Sequence, residues 1–247
     1  MPSSVDGSYR FLPGIEPYSS GVVAAPGFQV VHATLRTPVP WRDGFERIDA
    51  HLHEHGRPRT ALGAIELRIP APLTFEGFAS FNRGYREVLA EWGLLVGDQN
   101  PIARTNVAPV AGAPREPSLF GFAYTVPGAA AAPTFVVAGS GEMRDRSLDA
   151  AGLVRSGETT PDAMKEKAAY VVGVMQARLR GLGADWPDVT TVHVYTAHPI
   201  EAFLETTILR GIGAAAIHGV HWFPSRPPVQ GIEFEMDMRG VARDLVL

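Results

Sequence analysis

At 247 residues the chain can hold one large domain or two small ones, and a 45% hydrophobic content fills a core in either case. A formal charge of −4, a pI near 6.1 and the lack of any basic run argue against a nucleic-acid partner. The absence of cysteine excludes thiolate nucleophiles, thiolate metal sites and disulfides. The N-terminus reads as no signal peptide, and no segment reaches the roughly 18 uninterrupted apolar residues of a membrane helix. The expectation is therefore a cytoplasmic protein without a membrane partner.

FQVVHATLR at 28–36 is rich in β-branched and aromatic residues and predicts a strand. WRDGFERIDAHLHEHG follows as a helix, with Phe45, Ile48 and Leu52 at helical spacing and Gly56 and Pro58 as the stop. TALGAIELRIP is a strand ended by Pro70 and Pro72. FEGFASFNRGYREVLAEW is a second helix, with Phe78, Phe81, Tyr85, Leu89 and Trp92 along one stripe. Strands near 103–110 and 119–126 complete a β-α-β-α-β-β set.

PGAAAAPT at 127–134 has the composition of a linker. Beyond it TFVVAGSGEM is a strand, and a helix opened by Thr160-Pro161-Asp162 closes at Gly181 or Gly183. Next come the strand DVTTVHVYT, the helix IEAFLETTILRGIGAAAIHG, and two strands, GVHWFPS and GIEFEMDMRG. The β-α-β-α-β-β order has recurred. A repeat at half the chain length predicts an α+β fold of two tandem units, residues 1–130 and 131–247.

NPIARTNVAP at 100–109 sets a permanent cation, Arg104, where a proline-broken loop enters a strand. That segment and four others resemble the RidA/YjgF family of enamine/imine deaminases, whose chorismate-mutase-like subunits form trimers with sites between subunits. GIEPYSSG is similar to the family's segment ending in Pro-Tyr, which puts Tyr18 on the site tyrosine. FASFNRGY resembles the Asn-bearing helix motif and IARTNV the Ala-Arg-Ser/Thr motif, which puts Asn82 and Arg104 on substrate-binding positions. VVAGSGE resembles the strand ending Ser-Gly-Gln, with Ser140 as the site serine and Glu142 in place of glutamine. GIEFEMDMRG resembles the C-terminal Ile-Glu-Ile-Glu strand, with Glu233 on the glutamate that positions water.

Neither half has the full set. The first has Ala33 in place of the serine, and its LFGFAYTV strand has no carboxylate. The second offers His218 where the arginine belongs, and its helix has no asparagine. The resemblance thus implies a composite site, with Tyr18, Asn82 and Arg104 from one half and Ser140 and Glu233 from the other. It also implies a homo-oligomer, a trimer of tandem chains.

The chemistry fits these residue types. A guanidinium forks onto a carboxylate through two parallel hydrogen bonds, which suits Arg104 to a substrate carboxylate. Glu233 would orient or deprotonate water, while Ser140 and Tyr18 hydrogen-bond substrate or water. Imine hydrolysis requires no metal and no organic cofactor. Lysine occurs only at 165 and 167, in a charged helical stretch, which argues against Schiff-base or pyridoxal chemistry.

Other groups have plainer readings. His51 and His55 have a metal-binding i, i+4 spacing but sit in a last helical turn, where the dipole favours cations. His218 and His221 flank a strand and would line a pocket or serve structure. Arg226, between prolines, would bind a second carboxylate or make a surface pair. Glu66 and Arg68 read as alternating strand positions. Glu233, Glu235 and Asp237 share a strand face that is solvated or answered by arginines.

The expected function is hydrolysis of an enamine or imine carboxylate. One branch of the resembled family deaminates 2-aminomuconate in aromatic-amine degradation, and a dicarboxylate substrate would employ Arg226. The rival readings are a non-catalytic small-carboxylate-binding or scaffold protein and a chorismatase-like hydrolase.

Overall fold

The computed structural model describes residues 1–144 and 150–247. Two short strands, β1 (Tyr9–Leu12) and β2 (Gly21–Ala24), precede the first expected set. That set runs β3 (Phe28–Pro40), α1 (Trp41–Glu54), β4 (Leu62–Arg68), α2 (Phe75–Glu91), β5 (Ala103–Pro109) and β6 (Ser118–Pro127). The second contains β7 (Phe135–Gly141), α3 (Pro161–Leu182), β8 (Thr191–Thr196), β9 (His221–Arg226) and β10 (Glu235–Gly240), and β11 (Arg243–Val246) ends the chain.

The two halves wind alike. Strand order is β5-β4-β6-β3 in the first and β9-β8-β10-β7 in the second, so equivalent strands hold equivalent places. In both, the strands flanking the second crossover are parallel, β4 with β5 and β8 with β9. An antiparallel pairing of Ala108 and Pro109 with Arg226 and Ser225 joins the halves. The α+β class and the tandem arrangement expected from the repeated pattern are those observed.

The ends of the chain cross over. The β1-β2 hairpin lies against β7, so residues from the start of the chain extend the second half's sheet. Strand β11 does the reverse, running parallel to β3. Tyr9, Phe11 and Val22 of the hairpin pack with Ala64, Ala103 and Ala138, an apolar cluster that draws on both halves. These four-residue strands fall below the length at which alternation identifies a strand.

Each half packs helices on one sheet face. Phe45, Ile48 and Leu52 of α1 and Tyr85 and Leu89 of α2 meet Ile65, Leu67 and Phe122. Met164, Val171, Met175 and Leu179 of α3 cover Phe135, Val137, Val194 and Met236. Helix α2 begins at Thr74, whose hydroxyl accepts from Gly77 N at 3.0 Å. Helix α3 begins at Thr160 with Pro161 in the first turn and ends at Gly183 with φ of 78°.

One expected helix is absent as such. Residues 200–219 form a helical turn at Glu201–Phe203, a π-type turn at Leu204–Leu209 and a 3-10 turn at Gly213–His218. Gly211 lies so close to α3 that a Cβ would stand 2.7 Å from Val172 Cγ1, and Gly213 has φ of 53°. Close approach and a left-handed residue break the helix that periodicity alone would continue.

Lys167 departs from the sequence reading as well. It is fully buried, with Nζ donating to Val154 O at 2.7 Å and Glu142 Oε1 at 3.1 Å. Glu66 and Arg68 also do more than alternate. His32 joins Glu66 and Asp244, each at 2.7 Å, and Arg239 approaches Glu66 and Asp244 from the second half. Burial works against a charged His32, but Glu66 and the bonds to both carboxylates raise its pKa overall. Asp237 is answered by Tyr195 and His193, both at 3.0 Å. Among the described residues no helix is long and apolar enough to cross a membrane.

Candidate active site

A cavity of about 400 Å³ opens where β5 of the first half approaches β7, α3 and β10 of the second. Its size suits a small organic ligand. The segment joining β1 to β2 forms one wall and is tied down from both sides. Ser19 N donates to Ile102 O at 2.9 Å and its hydroxyl to Pro101 O at 3.0 Å, while Ala138 N donates to Ser20 O at 3.1 Å. Asn100 Nδ2 adds a 2.7 Å bond to Pro17 O. Tyr18 is thereby held at the cavity border.

Arg104 borders the same cavity and is 2% exposed. Its guanidinium stands among four aromatic rings, with Cζ 4.6 Å from the Tyr85 centroid, 5.1 Å from Tyr18, 5.5 Å from Phe81 and 5.7 Å from Phe78. Arg104 Nη2 donates to Asn82 Oδ1 at 2.6 Å, whereas Nη1 has no partner. Burial lowers the pKa of Arg104, and Tyr85, Tyr18 and Glu235 oppose that shift. A buried guanidinium with an unspent donor is arranged for an anion. Asn82 does not border the cavity and acts on it through Arg104.

Among the described residues the carboxyl group that borders the cavity is that of Glu235. It is 4% exposed, and burial raises its pKa well above the ordinary range. The Asp237 carboxylate adds to the shift, and Arg178 and Arg104 counter it only in part. These surroundings thus favour the protonated, proton-donating form of Glu235 more than water would. Gly139 makes room for it, because a Cβ there would stand 2.1 Å from Glu235 Oε1. Ser140 of β7 borders the cavity beside this pair. Burial likewise raises the Tyr18 pKa against the pull of Arg104, which keeps its hydroxyl a donor.

Glu233, the carboxylate chosen from the sequence, lies elsewhere. It precedes β10, does not border the cavity, and accepts from or pairs with His198 Nε2 at 2.9 Å. Alternation placed 233, 235 and 237 on one face and could not choose between them. The strand begins only at 235, so the backbone at 233 is free to turn its side chain away. Arg226 is exposed at the end of β9, and His218 is exposed in the preceding 3-10 turn; neither borders the cavity.

Two bordering residues escaped sequence reasoning, Asn106 and Arg178. Asn106 follows Arg104 by two positions, so strand periodicity could have found it. Arg178 lies on the long helix α3 and donates through Nη1 to Ala138 O at 2.8 Å and Gly139 O at 3.2 Å. Glu142, in the position of the family's glutamine, is buried and accepts from the backbone N–H groups of Glu233 and Phe234. Burial raises its pKa despite those bonds and Lys167.

Away from the cavity, His51, Glu54 and His55 bring ligand atoms within 4.8 Å of one another. His51 Nε2 bonds the Tyr124 hydroxyl at 3.0 Å, and His55 Nδ1 donates to His51 O at 2.8 Å. Both rings are thus engaged in holding the end of α1.

Residues 2–245 match the family described as 2-aminomuconate deaminase CnbZ. A 2-amino-5-chloromuconate deaminase of Comamonas testosteroni is 39% identical over 254 residues, covering 100% of both chains. Among solved structures, a chorismatase superposes with a TM-score of 0.50 at 15% identity, covering 90% of this chain and 77% of its own. The YjgF gene product of E. coli matches with a TM-score of 0.26 at 15% identity, over 47% of this chain and 86% of its own.

Proposed function

The chain belongs to the 2-aminomuconate deaminase family, and from that premise we propose that its cavity hydrolyses an enamine or imine carboxylate of the 2-aminomuconate type. Family membership makes it a deaminase, an enzyme acting on a C–N bond. The single observation that supports the site assignment is the meeting of Arg104 and Glu235, a buried cation with an unspent donor and a buried carboxyl whose pKa is raised, at one cavity.

In this reading Arg104 forks onto the carboxylate next to the amino-bearing carbon, and Asn82 and the aromatic rings fix its orientation. Protonated Glu235 gives its proton to the enamine carbon, which converts the enamine into a protonated imine (iminium). The resulting carboxylate removes a proton from water as the water oxygen bonds to the imine carbon. The same proton then moves to nitrogen, and as the C–N bond breaks the Glu235 carboxylate takes the hydroxyl proton, so ammonia and the oxo acid leave and the acid form is restored. Ser140 and Tyr18 hydrogen-bond the water and the oxygen that develops. One group thus serves each proton transfer, without any further cofactor in the scheme.

The site would draw on both tandem halves, Arg104 and Tyr18 from one and Glu235 and Ser140 from the other. The reading retains a trimer of tandem chains, with an assembled mass of about three times the 26.5 kDa chain. Ammonia release from freshly generated 2-aminomuconate tests the activity. Acceleration by the wild type and not by Arg104→Met or Glu235→Gln supports the proposal, and equal rates for all three refute it.

A further inference from the structure

We propose that Asn106 reads the substrate's reactive nitrogen, its amide oxygen accepting an N–H while its amide nitrogen donates to the carboxylate held by Arg104; this role rests on the deaminase reading above. Asn106 and Arg104 are two residues apart on β5, so they leave the strand on one face, and both border the cavity. Asn106 is 3% exposed, and neither its Oδ1 nor its Nδ2 has a hydrogen-bond partner.

An amide buried with both atoms unpaired is a liability to an empty protein. Beside it Arg104 Nη1 is unpaired too, so one acceptor and donors from two side chains stand together without partners. Their complement is a carboxylate flanked by an amino or imino group. The carboxylate oxygens accept from Arg104 and from Asn106 Nδ2, and the nitrogen supplies the N–H that Oδ1 requires. An oxo acid presents only acceptors and would leave Oδ1 facing another oxygen. Asn106 would therefore favour the amino substrate over the oxo product, which assists product release. Sites built to hydrogen-bond one polar group discriminate strongly against analogues that lack it.

Two unreactive planar carboxylates separate the contacts. Anthranilate carries an amino group beside its carboxylate, and benzoate does not. By calorimetric titration of the full chain, wild type should bind anthranilate about tenfold more tightly than benzoate or better. Asn106→Leu should abolish that preference by weakening anthranilate about tenfold more than benzoate, and raise Tm, because an isosteric apolar group replaces an unpaired amide. A wild type that does not distinguish the two ligands overturns the proposal. So does an Asn106→Leu protein that retains the preference, or one with a lowered Tm and both ligands lost equally, which is the signature of a structural role. Should Asn106→Leu fail to fold, Asn106→Asp decides by loss of benzoate affinity with the wild-type Tm range retained; unchanged affinity overturns the proposal. Lack of ammonia release from 2-aminomuconate by wild type removes the deaminase reading instead, whatever Asn106 does to ligand preference.

Discussion

Replacing Arg104 with methionine should separate activity from stability. Arg104 is 2% exposed, its guanidinium donates to Asn82 and leaves Nη1 unpaired, so the folded protein gains little from keeping it charged. Exchanging a buried ionic group for an apolar one of similar volume is often neutral or stabilising, by about 1–4 kcal/mol. The orphaned Asn82 Oδ1 would cost about 1–3 kcal/mol in the opposite direction. These contributions nearly cancel, so Tm should stay within a few degrees of wild type. Substrate, in contrast, loses its charge-assisted partner, and truncating one side of such a buried pair costs about 2–5 kcal/mol. At about 1.4 kcal/mol per factor of ten, kcat/KM should fall by about 30- to 4,000-fold, mainly through KM. Thermal unfolding and steady-state ammonia release read the two effects separately. An Arg104→Met enzyme within about threefold of wild-type kcat/KM, or one that loses activity only because it unfolds, would refute the anion-anchor reasoning.

Further outcomes follow from Glu235 and from the interface network. Because burial raises the Glu235 pKa, kcat/KM should decline as pH rises through that raised value, and Glu235→Gln should lose both this limb and most of the activity. The linkage has the same sign: Glu235 stabilises fully below its unfolded pKa near about 4.3 and less as pH climbs to the folded value, so Glu235→Gln should flatten the alkaline fall in Tm. Gly139→Ala brings a Cβ within 2.1 Å of Glu235 Oε1 and should lower kcat by about 10–100-fold with KM little changed; unchanged kcat would show that Glu235 moves without consequence. His32 has a raised pKa, so its contribution is complete below about 6.5 and disappears as pH rises through the folded value. Melting curves across that range should show a loss in wild type that Glu66→Gln removes. Light scattering should find a species of about three chain masses, and a strict monomer would remove the trimer from the account.

Much of the architecture was legible because its signals are long. The stripes Phe45-Ile48-Leu52 and Phe78-Tyr85-Leu89 span several turns, and Thr160-Pro161 and Gly183 mark the ends of α3 chemically. Strands β1, β2 and β11 were missed because four residues carry no readable period, and their exchange between halves is a tertiary matter. The broken segment 201–218 was misread because Gly211 answers to its contact with Val172 and not to helix periodicity.

The site divides the same way. Arg104 announced itself as a cation at a proline-marked strand entrance, and the resemblance of segments pointed to Tyr18, whose ring centroid stands 5.1 Å from its Cζ. Glu235 did not, since period two makes 233, 235 and 237 equivalent until the start of β10 is known. Asn106 was hidden because its distinguishing property is a lack of partners, which only the folded protein displays. Lys167 was misjudged because Glu142, 25 positions away, neutralises it in the core.

A crystal structure with bound benzoate or another unreactive carboxylate tests the central claim most directly. The account expects the carboxylate on Arg104 and the adjoining carbon facing Glu235, inside the cavity bordered by Tyr18 and Ser140. An anion held instead at Arg226 or at another surface arginine, with the Arg104 cavity empty at saturating ligand, would contradict it.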